Sequence, residues 1–319
     1  MAFFKTIAHW VKKHLLKKKD NKLQLGVKDR LECLMESKFR NSRNARLLGC
    51  KPDKPDSRDH IKLCASVYND TISGITEFSL RKYAPPVQNQ KDTSACTGFA
   101  GAASVFILLK KMAEHSKSGD DAFLLSPLYI YYNARFIDFM FKDQFYGKTT
   151  SPLPDQGATL RSLMQGLKKY GVIPESYMPF YKFNPSSNPP SDITTDLNFK
   201  IHEYLRIDPN NDPVTVCKNV LVSEHLPIIA GIYLYNEQMD YFDYYGYLTP
   251  CEDIESAELI GGHAICITGF RQHKGETYFE FINSWGTSTG DFGYGYLPAS
   301  FLADSHYVMD MWTFDKSYF

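Results

Sequence analysis

Two groups of side chains in this sequence have the types and spacing that chemistry needs, and the first surrounds Cys96. Cys96 follows Thr93 and Ser94 and opens an apolar segment, so we expect it at a helix N-terminus. The helix dipole and the free amides there favour an anion, so a thiol at that position loses its proton more easily. Gln90, six residues upstream, has an amide that could donate to an oxyanion beside the same helix end. Position alone leaves open the alternative that Cys96 is a small buried apolar side chain.

The second group lies in a predicted β-hairpin near the C-terminus. Two apolar segments, GGHAICITGF and YFEFINSWG, flank the polar turn RQHKGET, and antiparallel pairing is the simplest arrangement. A symmetric turn centred near residue 273 places His263 opposite Asn283. Because cross-strand Cβ atoms lie about 5 Å apart, the Asn283 carboxamide could bond one imidazole nitrogen and leave the other to face a thiol. A histidine at a strand start can also be purely structural.

The elements that must position these groups change type along the chain. Helices are predicted from Ser94 to about Met112, after Ser126-Pro127 through about Phe141, and at about 159–170, where Gly171 is a suitable C-cap. Later segments are apolar or alternating and predict strands at 227–235, 263–270 and 278–284. Helices followed by strands predict an α+β protein with two lobes.

Composition and charge exclude several classes of protein. The 319 residues are 43% hydrophobic and 23% charged, which supports a sizeable core and excludes wholesale disorder. Lys+Arg and Asp+Glu both number 36, so the bulk charge predicts no nucleic-acid partner. The seven cysteines are widely spaced and lack metal-ligand spacing, so we expect neither disulfides nor a metal. We find neither a transmembrane run nor a secretory signal, and expect a cytoplasmic protein or one exported without an N-terminal signal.

The balanced charge conceals a basic arm that precedes an acidic body. Residues 1–50 carry 13 basic and 4 acidic side chains, a net of +9, which leaves −9 for residues 51–319. Residues 4–16 have apolar side chains at helical spacing with lysines on the other faces. That helix could dock on the body, lie on a membrane surface or bind a partner. Residues 49–60 are rich in proline and charge and predict a linker.

Three blocks of the sequence resemble the signature blocks of papain-like cysteine peptidases, in the family's chain order. They are PVQNQKDTSACTGFAGA, GGHAICITGF and FINSWGTSTGDFGYGYLP, and the separation of Cys96 from His263 is also of the family's size. The intermediate blocks LSPLYIYYNAR, DQGATLRSLMQGLKKYGVIPESYMPF and LPIIAGIYL, with the lead-in LGCKPDKPDSRDH, are similar to the prokaryotic branch and imply a bacterial protein. The resemblance covers about residue 48 to the C-terminus. It implies a papain-like two-lobe fold, with a helical left lobe, a β-barrel-like right lobe and the active-site cleft between them.

The resemblance also implies a catalytic role for each matched residue. Cys96 would be the nucleophile, and His263 would be its general base and then the acid that protonates the leaving amine. Asn283 would orient the imidazole, and Gln90 with the Cys96 backbone amide would form the oxyanion hole. Trp285 would shield the bond between His263 and Asn283 from water.

Three small residues are placed on the substrate by the same resemblance. Gly157, in DQGAT, sits where family members pair a glycine backbone with the substrate chain. Gly231 and Ala264 would line a roomy pocket for the second residue upstream of the scissile bond. The substrate would be a protein or peptide, and no cofactor or metal is implied.

The sequence departs from the family pattern at three threonines. Thr97 follows the nucleophile where the family usually has tryptophan, and this substitution is typical of the prokaryotic branch. Thr93 replaces a half-cystine of the family, which fits a reducing compartment or a bacterial origin. Thr289 replaces the second tryptophan of the NSWG block, which affects contacts on the leaving-group side of the substrate. None of these changes removes a catalytic group.

The acidic body has its own asymmetry in residues 219–270, which carry eight acids and no Lys or Arg. Much of this stretch, NEQMDYFDYYGYLTPCEDIESAELIGG, is an apparent insertion before His263, so we expect it near the cleft rim of the right lobe. It is either a solvated loop or a surface that attracts positive charge, from a basic substrate or from the arm. Papain-like enzymes are commonly held latent by an N-terminal extension through the cleft, and residues 1–75 are such an extension in position.

The resulting hypothesis is a papain-like cysteine endopeptidase with a basic N-terminal extension, 1–75, and a catalytic domain, 76–319. It would hydrolyse peptide bonds through a Cys-His-Asn mechanism with an acyl-enzyme intermediate. A papain-fold acyltransferase or transglutaminase-like enzyme would share the thiol chemistry and pass the acyl group to an amine instead. The third alternative is a catalytically silent fold that is used for binding.

Overall fold

This computed structural model describes residues 46–63, 72, 74–116, 124–140, 153–182, 184–186, 188–189 and 199–316. These residues belong to one unit, Ala45–Phe319. The predicted helix at residues 4–16 lies outside the described residues, as do Cys33 and Cys64. The five described cysteines are all unpaired.

Three helices form the first lobe, close to the predicted bounds. They are α1 (Cys96–Ser116), α2 (Pro127–Met140) and α3 (Leu160–Lys169). The α3 helix begins after the Thr159 cap, whose hydroxyl accepts from the Ser162 amide. Gly171 follows the end of the helix with a φ of +73°. A Cβ on Gly98 would stand 2.3 Å from the Pro127 carbonyl oxygen, so only glycine lets α1 and α2 approach this closely.

The α1 helix is a core element. Its segment Cys96–Glu114 is long and apolar enough to span a membrane by length and composition, but 72% of that window is buried inside the protein. Apolar residues on all sides of a helix are what a core helix requires when other elements surround it. The apolar character of α1 therefore serves the packing of the lobe.

An antiparallel sheet forms the second lobe. Six strands lie in the order β4-β9-β5-β6-β7-β8, and β2 pairs with the far end of β6. Their bounds are β2 Glu77–Ser79, β4 Tyr204–Arg206, β5 Ile228–Tyr235, β6 Leu259–His273, β7 Glu276–Ile282, β8 Tyr294–Pro298 and β9 Val308–Phe314. Two further helices are α4 (Pro213–Asn219) and α5 (Asn236–Tyr245). Helices on one side and a sheet on the other give the α+β, papain-like two-lobe fold that was predicted.

The register of the β6–β7 hairpin differs from the symmetric prediction. The turn is Lys274-Gly275, both with positive φ, as the two-residue turn type favoured in hairpins requires. Its centre is therefore later than residue 273, and a bulge after Ile267 shifts the pairing again. Cys266 pairs with Ile282, so Asn283 lies just beyond β7 and is diagonal to His263 instead of directly opposite. Diagonal neighbours remain within reach of long side chains.

Residues 49–60, predicted as a linker, are docked on the body. Cys50–Lys51 forms strand β1, which pairs in parallel with β3 (Ala158–Thr159). Asp53 accepts a hydrogen bond from the Arg161 amide at 3.0 Å, at the start of α3, where the helix dipole favours a carboxylate. Asp59 forms ion pairs with Arg161 at 2.7 Å and with Arg206 at 3.7 Å. The linker prediction was wrong because Asp53 and Asp59, two of the charges that suggested solvent exposure, have partners far away in the sequence.

Candidate active site

Cys96 is the first residue of α1, as predicted, and its side chain is fully buried. Burial raises the pKa of its thiol, while hydrogen bonds from the backbone of Ala264 and Gly49 act in the opposite direction. The pKa is therefore raised, not lowered as its place at a helix start predicted. The cause is that a segment of the chain itself covers the thiol, since Gly49 lies against it.

His263 and Asn283 are in contact despite the shifted register. The imidazole Nε2 lies 2.8 Å from Asn283 Oδ1, which also accepts from the Ser284 amide at 2.8 Å. An amide oxygen only accepts, so Nε2 carries the hydrogen and Nδ1 is left as an acceptor. Among the described residues, Nδ1 is buried without a hydrogen-bond partner. The imidazole is thus oriented with one basic nitrogen free.

Trp285 covers the imidazole. Its ring stacks on that of His263 with centroids 4.4 Å apart and an interplanar angle of 26°. The pKa of His263 is lowered to about 4, mainly by burial and in part by the charge of Arg46, while the bond to Asn283 opposes both. His263 is therefore neutral in this state at physiological pH. The imidazole lies under the Trp285 ring, and the shielding of its bond to Asn283 from water stays a prediction.

Gln90 is buried beside the start of α1 with its amide orientation fixed. The Ser284 hydroxyl donates to Gln90 Oε1 at 2.6 Å. Gln90 Nε2 then donates to the Thr93 carbonyl at 2.8 Å and to the Leu47 carbonyl at 3.1 Å. One N–H of the Gln90 amide thus donates to the carbonyl of Leu47, which belongs to a segment of the same chain that crosses the site. That is the direction an oxyanion donor needs.

Three residues that support this arrangement were missed in the sequence analysis. Ser284 lies inside the NSWG block and could have been found there as the residue that orients Gln90. Tyr131 donates to Asp155 and accepts from the Gly157 amide at 2.9 Å, and Asp155 accepts from the Ser94 amide at 3.1 Å. These bonds fasten the Gly157 turn to the start of α1. Asp155 also carried a local signal, two residues before Gly157, whereas Tyr131 carried none.

Two of the three predicted substrate-contact residues, Gly157 and Gly231, contact one segment of the chain. We call residues 46–51 the cleft segment. The Gly157 carbonyl accepts from Lys51 Nζ at 3.0 Å, and Gly157 has a φ of +74°. Gly231 and Ala264 are paired across β5 and β6. A Cβ on Gly231 would stand 3.0 Å from Cys50 Sγ, so the Cys50 side chain occupies the space that this glycine leaves.

The remaining wall of that space comes from two other residues. The same Cβ position on Gly231 is 3.5 Å from Leu160 and 3.6 Å from Met309 Sδ. Burial is the main cause of a pKa well above the ordinary value for Cys50. The Cys50 thiol is therefore neutral in its pocket. Within the described residues, no group of three or more His, Cys, Asp or Glu is placed to hold a metal ion.

Comparison with known proteins agrees with this geometry. Residues 155–301, which include His263 and Asn283, match the family described as papain family cysteine protease. An uncharacterized peptidase C1-like protein of Acanthamoeba polyphaga mimivirus is 28% identical over 286 residues, covering 85% of this chain and 86% of its own. Xylellain, a cysteine protease from Xylella fastidiosa, is 26% identical and covers 85% of this chain and 96% of its own, with a TM-score of 0.65.

A more distant structure extends the likeness in fold. Digestive procathepsin L 3 of Tenebrio molitor larval midgut is 14% identical and covers 98% of both chains, with a TM-score of 0.58. The fold and these matches define the protein as a cysteine-type peptidase. Residues 155–301 match the papain family model, and the fold is the papain-like fold that the sequence blocks predicted. The prokaryotic-type branch stays a prediction, since the similar proteins are viral, bacterial and eukaryotic.

Proposed function

We propose that the protein is an endopeptidase that hydrolyses peptide bonds with Cys96 as the nucleophile, His263 as base and acid, and Asn283 as the orienting group. The observation that carries this proposal is the 2.8 Å contact of His263 Nε2 with Asn283 Oδ1, which leaves Nδ1 as a free acceptor. A nucleophile at a helix start, a base and a group that orients the base are the arrangement that thiol catalysis needs.

The reaction follows from these roles. His263 Nδ1 takes the Cys96 proton, and the thiolate attacks the scissile carbonyl. The oxyanion accepts hydrogen bonds from the Gln90 amide and the Cys96 backbone N–H. The imidazolium then protonates the leaving amine, and a thioester remains on Cys96. Water attacks the thioester with His263 again as the base, which releases the acid product and restores the thiol.

We also propose that the N-terminal extension, residues 1–75, keeps the enzyme latent. The cleft segment contacts the proposed oxyanion donor, the nucleophile and the upstream pocket: Leu47 accepts from Gln90, Gly49 lies against Cys96, and Cys50 fills the space beside Gly231. Peptide that occupies these contacts excludes a substrate. The neutral state of both Cys96 and His263 in this arrangement adds to the latency, because the reactive ion pair requires both charges.

The direction of the cleft segment explains why the proposed peptidase would not cleave it. Cys50 occupies the proposed pocket for the second residue upstream of the scissile bond, while Arg46 lies over Trp285 at 4.3 Å, on the leaving-group side. A substrate has its N-terminal residues upstream, so the cleft segment runs in the opposite direction. A backbone amide, that of Gly49, then faces the thiol where a substrate would present its carbonyl.

We keep the prokaryotic-type assignment as a proposal, supported by the likeness to xylellain at 26% identity over 85% of this chain. Membrane contact through the arm falls on residues outside the described part of the chain and stays a prediction. The location of the protein, cytoplasmic or exported without a signal, also stays a prediction.

One experiment tests the proposed function directly. The full-length protein with Gly49→Ala, whose added Cβ would stand 2.0 Å from the Ser94 carbonyl oxygen and so displaces the cleft segment, is compared with the same protein that also carries Cys96→Ala. Both are incubated with a mixture of peptides, with and without an added amine, and the products are identified by mass. Hydrolysis that disappears in Cys96→Ala supports the endopeptidase. Products that carry the amine and little free acid would identify an acyltransferase instead. Unchanged hydrolysis in Cys96→Ala would refute the assignment.

A further inference from the structure

The Arg46 guanidinium occupies a site of its own at one end of the cleft. Its Nη1 and Nη2 donate to the two carboxylate oxygens of Asp243 at 2.8 and 2.9 Å, a paired geometry that only arginine can make. Its Cζ lies 4.3 Å from the centroid of the Trp285 ring, within cation–π distance. One side chain is thus held by a carboxylate and an aromatic face together.

The two walls of this site are fixed independently of Arg46. Phe242 is buried and meets the Trp285 ring edge-on at 5.9 Å, so α5 cannot move relative to the tryptophan without loss of packing. The Asp243 carbonyl accepts from the Gly290 amide at 3.1 Å, which holds the backbone of the acid. Asp243 and Trp285 are therefore arranged in advance for a guanidinium, which reduces the entropy that binding must overcome.

The electrostatic surroundings favour a cation at this point. Asp243 lies in the last turn of α5, where the helix dipole disfavours a carboxylate unless a positive charge is near. Residues 219–270 add seven further acids and no Lys or Arg. A basic side chain is the natural occupant, and the structure shows one in place.

The site lies on the leaving-group side of the proposed reaction. Trp285 stacks on His263, the group that would protonate the leaving amine, with centroids 4.4 Å apart. The opposite end of the cleft, at Gly231, is occupied by Cys50. A side chain on the first residue after the scissile bond would therefore start beside His263 and extend over Trp285.

We propose that Asp243 and Trp285 form a binding site for a basic side chain on the first residue after the scissile bond, and that the enzyme selects substrates with arginine there. Arg46 is then an internal occupant of this specificity site. Lysine binds less well, because its ammonium is a point donor that cannot pair with both carboxylate oxygens. The proposal rests on the proposed peptidase function for its kinetic consequence, but the binding site itself does not require turnover.

The test uses full-length protein with two changes. Gly49→Ala displaces the cleft segment from Cys96, because the added Cβ would stand 2.0 Å from the Ser94 carbonyl oxygen, and Arg46→Gln vacates the guanidinium site. Amino-acid amides compete with water for the acyl-enzyme: the α-amine attacks the thioester, the C–N bond forms, the C–S bond breaks and the thiol is restored. Arginine amide is compared with citrulline amide, which has a neutral urea of nearly the same shape. We expect arginine amide to be captured about tenfold better, as a charge-assisted paired contact plus a cation–π contact allows.

Two variants of acids on α5 make the comparison specific. Asp243→Asn should reduce the preference for arginine amide to about twofold, which is what the contact with Trp285 alone would give. Asp240→Asn removes the same charge from an exposed position one turn earlier and should leave the tenfold preference in place. The preference should also fall as salt is raised, since the site is partly open to solvent. Equal capture of the two amides, or loss of preference in both variants alike, would overturn the proposal.

A binding measurement separates this proposal from the peptidase assignment. In the full-length Cys96→Ala, Arg46→Gln protein, arginine amide should change the fluorescence of Trp285 in a saturable way, and citrulline amide should not; the Trp285→Phe variant corrects for the other tryptophans. Selective binding that Asp243→Asn weakens, together with no peptide hydrolysis by the protein with Cys96 intact, would retain the site and refute the proposed function. Turnover without selective binding would refute the site and retain the function.

Discussion

The Ser284 hydroxyl donates to Gln90 Oε1 at 2.6 Å, and this bond decides which way the buried Gln90 amide points. With the oxygen held by Ser284, the Nε2 hydrogens can only face Thr93 and the cleft. Because Ser284 follows Asn283, one short piece of chain orients both the imidazole and the proposed oxyanion donor. The imidazole of His263 and the proposed oxyanion donor Gln90 are therefore both positioned by residues 283 and 284.

Replacement of the amide donor should affect turnover more than binding. Gln90→Ala should lower kcat by about 10²–10³, the usual effect of one oxyanion donor. Ser284→Ala should give a smaller loss, since Thr93 still holds Gln90, and it should add little in the double variant because both changes remove the same donor. The measurement is kcat and KM for one peptide with the four proteins of this cycle. Additive losses would show that Ser284 acts independently of Gln90.

Removal of the proposed nucleophile or base should abolish peptide hydrolysis, whereas removal of the orienting asparagine should only reduce it. Cys96→Ala and His263→Ala should each abolish peptide hydrolysis while the unfolding transition stays cooperative, since the thiol reaction needs both groups. Asn283→Ala should retain a fraction of activity and lower it mainly through kcat, because the imidazole keeps its stacking on Trp285 but loses its orienting bond. Wild-type activity in Asn283→Ala would contradict the role proposed for the asparagine.

The buried carboxyl group of Asp53 should make the docking of residues 50–60 on the rest of the protein depend on pH. Burial, with Asp310 close by, raises the pKa of Asp53 to about 7, and Arg161 opposes this. The docked state thus binds a proton more tightly than the undocked state, whose pKa is near the ordinary value of about 4. This contribution stabilises docking at low pH relative to high pH and is lost as the pH rises through about 7.

We therefore expect residues 50–60 to exchange amide hydrogens faster, after correction for the intrinsic rate, at pH 8 than at pH 5.5. The Asp53→Asn variant has no such proton and should show a flatter dependence. Asp56→Asn is the matched control, since Asp56 lies in the same stretch with its carboxylate on the exposed Arg58. Faster exchange at the lower pH in the wild type would contradict the role proposed for the proton on Asp53.

The local chemistry of the site was predictable from sequence because its signals are local. A capping residue before an apolar run predicted the helix start at Cys96, and a polar turn between two apolar segments predicted the hairpin that brings His263 and Asn283 together. The exact register was not predictable. It depends on the positive φ values of Lys274 and Gly275 and on the bulge after Ile267, which a symmetric turn does not include.

The chain around Cys50 could not be placed from sequence, because its partners are remote. Asp53 meets Arg161, which is 108 positions later, and Arg46 meets Asp243, 197 positions later. Proline and charge in a short window are equally typical of a free linker. The predicted attraction between the arm and the acidic insertion is represented in the described residues by that one pair, Arg46 with Asp243. Composition gave the sign of the charges but not the residues that meet.

Gly49 lies so close to the start of α1 that one added methyl group should displace the cleft segment. A Cβ on Gly49 would stand 2.0 Å from the Ser94 carbonyl oxygen, which belongs to the backbone and cannot turn aside. Overpacking of this kind costs about 1–3 kcal/mol, which corresponds to roughly a 5- to 150-fold shift toward an unoccupied cleft. Gly49→Ala in the full-length chain should therefore raise both the rate of peptide hydrolysis and the rate at which iodoacetamide alkylates Cys96. Gly74→Ala is the control, because no atom lies within 4 Å of its added Cβ, and it should change neither rate. If Gly49→Ala leaves both rates at the wild-type level while Gly74→Ala behaves the same, the cleft segment does not limit access to Cys96, and the proposed latency must be abandoned.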